Sequence, residues 1–419
     1  MKKGLDKHVP SRVKNEKRVW KYPGKRGGEI PQGAPPIVDT ILFLEGRGMI
    51  MKKKLVCCCL LILTILAVSS TTFAAAYVAK IGNQRYTSLN KAVNDVRSGG
   101  TIKLLRNTSW SYTEDKGLEG KKFTMDLANH VLTLKKLVHL GGGTNIKIKN
   151  GTIKGNHKDG VPCFEVGTYA YQKDKRRSKI TFQKCKIKML KRGLFIETNL
   201  KADIVMKNSD LSFAKADDRT AFEIGEGSTL TVTGGNWSSG QDNQSIIDSN
   251  GSVKISKLKY KGNPLLHIMS GKAEITSGTY YKIPYYSRDL ITVNGGKLTI
   301  SGGSFTSESQ GLICMSSGTM TMTGGKLRNI QIPVNNTYTA PSVSESGYHS
   351  PGHSGPVCIL FEVYGDEKTV VNLNGGKVIS DHGCCIYKRA EANAVINIGK
   401  ATCTPLAGAP VTFIYSYTG

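Results

Sequence analysis

Acidic residues are in short supply in this chain. Its 419 residues include 31 Asp and Glu against 58 Lys and Arg, a formal net charge of +27. Aromatics are also few, at 7%, and do not interleave with the basic stretches, so a base-stacking nucleic-acid surface is not expected. No cysteine pair has metal-ligand spacing such as CxxC. Seven cysteines follow residue 76, an odd number better suited to packing as small apolar groups than to a full disulfide framework. One bridge among the last four stays open. No GxxxxGK[ST] stretch occurs, so the many glycines do not form a phosphate loop. The apolar run from Leu55 to Val68 holds 14 residues. At ~1.5 Å per residue it spans about 21 Å, short of the ~30 Å hydrocarbon core, which argues against a permanent membrane span.

That short run sits inside MKKKLVCCCLLILTILAVSSTTFAAA, residues 51–76. Lys52, Lys53 and Lys54 precede it and Ala74, Ala75 and Ala76 close it, the pattern of an export signal cleaved near Ala76. The expected location is therefore secreted or cell-surface, with membrane contact only through an uncleaved signal segment. Val56 is not the small residue that a lipoprotein signal needs before Cys57, so Cys57, Cys58 and Cys59 read as apolar filler. Residues 1–50 are basic, rich in Pro and Gly, and without period. They read as sequence upstream of a start at Met49 or Met51, or as a disordered extension. Of the basic and acidic residues, 14 and 5 precede Tyr77, so the remainder keeps an excess of 18 positive charges.

A repeat organises the rest. A six-residue frame, apolar at both ends, recurs as LANHVL from Leu127, IKNGTI from Ile148, FQKCKI from Phe182, MKNSDL from Met206 and VTGGNW from Val232. It returns as ISKLKY from Ile255, ITSGTY from Ile275, ISGGSF from Ile300, MTGGKL from Met322, LNGGKV from Leu373 and INIGKA from Ile396. Eight of the ten spacings lie between 20 and 26 residues. Short in–out alternations such as Leu298-Thr299-Ile300 flank the frame. A period near 23 built from strands without helices predicts a parallel β-helix rather than a hairpin sandwich. The frame's centre must bend sharply, which a left-handed residue does cheaply. Asn150, Asn208, Gly234, Gly302, Gly324 and Gly375 fall at or beside that corner, whereas Lys257-Leu258 predicts one rung that turns differently.

These repeats resemble the right-handed parallel β-helix, pectate-lyase-like superfamily, in its secreted bacterial branch, over residues 77–404. YVAKIGNQRYTSLNKAVNDVRSGGTIKLLRN, residues 77–107, is similar to the N-terminal cap of such proteins: a strand pair, a helix capped by Thr87 or Ser88, then the first rung. Leu89, Ala92, Val93 and Val96 share its apolar face. The expected fold is all-β, a right-handed parallel β-helix of about eleven rungs over residues 108–404, with an N-terminal capping helix in 77–107. Residues 405–419 form a partial last rung or tail, without a sorting motif or apolar anchor.

Three places carry candidate chemistry. Lys147, Lys149, Lys154, Lys184, Lys186 and Lys188 are expected to face outward, with Lys154 beside Lys188 in the next rung and KDKRRSK (Lys173 to Lys179) nearby. At about 4.8 Å two such ammonium groups repel by roughly 0.9 kcal/mol in water, and a bound polyanion relieves this. In a second strand set, alternation turns Glu197, Glu223, His267 and Glu362 outward along one sheet, a carboxylate row suited to acid–base work. The resemblance implies a polysaccharide groove on that sheet, but the family's RxPxxR is missing. Asp217-Asp218 and Asp381-His382-Gly383 stand without the NTD and RIK elements that would make them hydrolase residues. The third place is the polar insertion of residues 335–356, whose His349 and His353 are separated by Pro351-Gly352 and so lack a helix on which to share a metal. The expected function is non-catalytic binding of a glycan or anionic cell-wall polymer. The alternatives are a polysaccharide lyase or glycoside hydrolase, and a structural adhesin stalk. No metal or cofactor is expected, and calcium is left open.

Overall fold

A computed structural model describes residues 76–415, apart from 112–117, 156–160, 168–175, 190–193, 200, 214–219, 240–244, 263, 285–288, 310, 331–356, 362–366 and 390–391. The chain opens with an antiparallel arrangement. Strand β1 (Ala79–Ile81) pairs with β2 (Gln84–Tyr86) on one side and with β3 (Gly100–Leu104) on the other. Between them lies helix α1 (Leu89–Asp95), the Ser88 hydroxyl accepting a 3.4 Å bond from the Lys91 N–H at its N-terminus. Leu89, Ala92, Val93 and Val96 are buried beneath it, the face the spacing predicts. From β3 onward every pairing is parallel. The chain coils as a parallel β-helix, each rung bonding to those above and below, so that among the described residues the open edges of the coil lie at its ends.

Each rung contributes to three sheets. The first-sheet column of inward residues runs Ile148, Phe182, Met206, Val232, Ile255, Ile275, Ile300, Met322 and Leu373, all in register and all buried. Five residues later the second sheet repeats the pattern through Ile153, Ile187, Leu211, Trp237, Tyr260, Tyr280, Phe305, Leu327 and Val378. Like stacks on like: the Tyr280 and Phe305 rings lie 4.4 Å apart and 11° from parallel. Such pairs add ~0.5–1.5 kcal/mol beyond their burial.

The two ends of the repeat depart from the expected frame. Met125, not Leu127, stacks under Ile148, and Ile398, not Ile396, stacks on Leu373. In the first rung Ala128 and Asn129 both adopt the left-handed region, at φ +47° and +67°, and the wider corner uses two more residues. A slip of two keeps every side chain on its face, so alternation alone does not detect it.

The corner itself is as expected in kind. Asn150, Asn208 and Gly234 have φ of +59°, +47° and +72°. Lys257, expected to mark a different turn, takes the same one at φ +54°, and Lys184 does so at +53°. In the later rungs the left-handed residue is the second glycine of the pair: Gly303, Gly325 and Gly376, rather than Gly302, Gly324 and Gly375. The seven cysteines from Cys163 to Cys403 are free thiols, and all but Cys403 are buried.

Candidate functional site

The six lysines do not form one column. Lys147 and Lys149 belong to the first sheet, Lys154, Lys186 and Lys188 to the second, and Lys184 to the corner between them. Lys149 is engaged, its Nζ 3.3 Å from Asp126 Oδ2. Lys147 is stacked between Thr124 and Thr181. Lys154 and Lys188 are in-register neighbours, the predicted like-charge pair. Lys186 stands between Thr152 and Asp210. Of the KDKRRSK stretch, residues 173–175 lie outside the described residues. Arg177 Nε binds Asp203 Oδ2 at 2.8 Å.

The second sheet carries more cations than its first rungs predict. Along the same outward columns follow Lys259, Lys261, Lys326, Arg328 and Lys377. Lys326 and Lys377 are a second in-register lysine pair. Arg328 is spoken for: its Nη2 donates to Asp381 Oδ2 at 2.7 Å, which ties Asp381 into an ion pair.

The third sheet has the opposite sign. Its outward column reads His139, Glu165, Glu197, Glu223, Asp248, His267, Thr292, Cys314, Leu360 and Tyr387. Four carboxylates thus occupy successive rungs between two histidines. Glu197, Glu223 and His267 stand where the alternation puts them. Glu165, Asp248 and His139 were missed, although FEV and IDS repeat the strand pattern of FEI. Leu360, not Glu362, holds the column position, and Glu362 itself lies outside the described residues. So do Asp217, Asp218, His349 and His353.

The row is electrostatically strained. Burial, opposed by a 3.1 Å bond from Asn199 Nδ2, holds the Glu165 carboxyl above the usual range. Burial raises Glu197 too, with the Glu165 charge adding to it. Glu223 is raised by burial, then by Glu197 and Asp248. Asp248 accepts a 2.9 Å bond from Thr220 and lies 3.5 Å from His267 Nδ1. The far nitrogen of His267 is 3.0 Å from the Asn294 amide. Burial lowers the pKa of His139. Neighbouring carboxyls that raise one another are among the arrangements general acid–base chemistry uses. The carboxylates form a line, and among the described residues no three His, Cys, Asp or Glu converge as metal ligands would.

The fold and its two faces define the chain as a parallel β-helix with a basic second sheet and an acidic stretch on the third. No family model matches it, and neither does any curated protein or solved structure.

Proposed function

We propose that this is an exported, non-catalytic β-helix that binds an anionic glycan or cell-wall polymer along its second sheet, and that it belongs to the secreted bacterial branch of the pectate-lyase-like superfamily. One observation carries the binding reading: lysines sit directly opposite lysines, Lys154 with Lys188 and Lys326 with Lys377. Like charges in register oppose pairing. A polyanion lying across the rungs turns that repulsion into attraction at every contact. The exported form retains its positive excess, and export separates it from nucleic acid.

A second reading rests on the third sheet. Glu165, Glu197, Glu223 and Asp248 at rung spacing of about 4.8 Å approach the ~5–5.5 Å separation of the two carboxyls in retaining glycosidases. In that reading Glu223 and Glu197 divide the acid and nucleophile or base roles on an acidic polysaccharide. A stalk role, with a partner at residues 335–356, would use neither face.

A glycan array combined with a reducing-end release assay separates the three. Binding without release, lost in Lys184/Lys186/Lys188→Glu, supports the leading proposal. Release that Glu223→Gln abolishes replaces it with the hydrolytic one. Neither binding nor release leaves the stalk.

A further inference from the structure

We infer that the corner joining the third and first sheets holds a discrete subsite for a short acidic oligosaccharide, separate from the second-sheet lysines. A trough of about 630 Å³ runs there across several rungs. That volume falls within the ~300–1,000 Å³ of small-molecule sites and far exceeds a single phosphate or sulfate ion.

The floor of the trough is made of glycine because nothing larger fits. Gly251, Gly271 and Gly296 stack rung upon rung. A Cβ on Gly271 would lie 2.1 Å from the Gly251 carbonyl oxygen, and one on Gly296 would lie 2.5 Å from that of Gly271. Those carbonyls are already taken, by the Lys272 N–H at 2.9 Å and the Lys297 N–H at 3.0 Å. The rungs therefore stack at backbone contact here, and no side chain rises from these three positions. On the lining beside this stack, the Gly227 carbonyl accepts from both Nη groups of Arg177 at 3.0 Å.

The walls supply charge. Lys272 and Lys297 are in-register neighbours, a further lysine-on-lysine pair, while Lys254 lines the trough from the rung before in the next outward column, opposite Glu274. All three are exposed, and the described ion pairs include none of them. Glu226 is the only acid on the lining. The Lys272 and Lys297 amines, on adjacent rungs about 4.8 Å apart, suit a ligand with anionic groups on neighbouring sugars. No aromatic lines the trough, so it offers nothing for a nucleobase to stack on.

Isothermal titration of the full chain tests this, with tetragalacturonate and a heparin-derived tetrasaccharide as probes and a neutral maltotetraose and inorganic phosphate as controls. Both acidic tetrasaccharides are expected to bind in the trough, since the second-sheet lysines offer a short ligand only single weak contacts that add up along a polymer. Lys272→Gln/Lys297→Gln weakens them about tenfold, since two exposed ion pairs are lost. Ser252→Trp, which fills the trough, abolishes binding, and Lys154→Gln/Lys188→Gln leaves it unchanged. The inference is overturned if neither tetrasaccharide binds, if Lys272→Gln/Lys297→Gln has no effect, if the second-sheet variant causes the same loss, or if phosphate binds as tightly as the saccharides. Because polymer retention by the second sheet is read separately, either proposal can fail while the other stands.

Discussion

At the scale of single residues, the molecule is governed by what a stacked coil does to identical neighbours. Glu165, Glu197 and Glu223 all have raised pKa values, so the folded state holds their protons more tightly than the unfolded chain. Their contribution to stability is complete below the ordinary carboxylate range and is lost as pH rises through the shifted values. Asp289, pushed up to about 6 by burial against the pull of Lys282, acts in the same direction. Glu223→Gln is therefore expected to stabilise the fold at neutral pH, by up to about 0.5 kcal/mol once solvent screening at this exposed position is allowed for. Thermal melts across pH check it: the gain over wild type should shrink toward pH 4. Backbone strain gives a paired expectation. Lys257 occupies the left-handed corner at φ +54°, so Lys257→Asn should stabilise by about 0.5–1 kcal/mol. Gly271→Ala meets the Gly251 carbonyl and should destabilise by about 3 kcal/mol, both read by denaturant unfolding.

At the scale of strands and corners, the sequence was a good guide to faces and a poor one to ends. The in–out alternation and the five-residue step across the corner located the inward columns from Ile148 to Leu373. Leu127 and Ile396 were placed two residues off, because a two-residue slip preserves every face and only hydrogen-bond register distinguishes the options. Lys257 looked like an exception because the pattern weighed residue type, whereas the corner imposes φ on whatever residue arrives there. The carboxylate row was half legible: Glu197 and Glu223 follow from the alternation, and Glu165 and Asp248 lie in strands of the same three-residue length, so the signal that would have found them is the FEI-like pattern of FEV and IDS. The trough was not legible at all. Its glycines lie at rung junctions, and its lysines become neighbours only after coiling. The in-register lysines make a prediction at this scale. Replacing one member, as in Lys326→Gln, should stabilise the protein by about 0.2–1 kcal/mol at low salt. The gain should disappear in high salt, where screening over ~3 Å removes the repulsion.

At the scale of the whole molecule, charge is sorted by sheet. The second sheet presents Lys154, Lys186, Lys188, Lys259, Lys261, Lys326 and Lys377, and the third presents its acids between His139 and His267. Coiling makes this possible, since residues some 23 positions apart become vertical neighbours and a single repeated position becomes a vertical line, its cations interrupted here at Ser212, Ser238 and Thr306. Such a line meets a polymer as a series of equivalent weak contacts, so binding should be strong in sum and steeply sensitive to salt. The most direct test is the affinity of the native protein for heparin or teichoic acid over a range of ionic strength, compared with Lys154/Lys188/Lys326/Lys377→Gln. The account predicts tight retention at low salt, a steep fall as salt rises, and a weaker affinity with a shallower slope in the variant. Equal affinity and equal slope for the two proteins, or no retention of either at low salt, would contradict it.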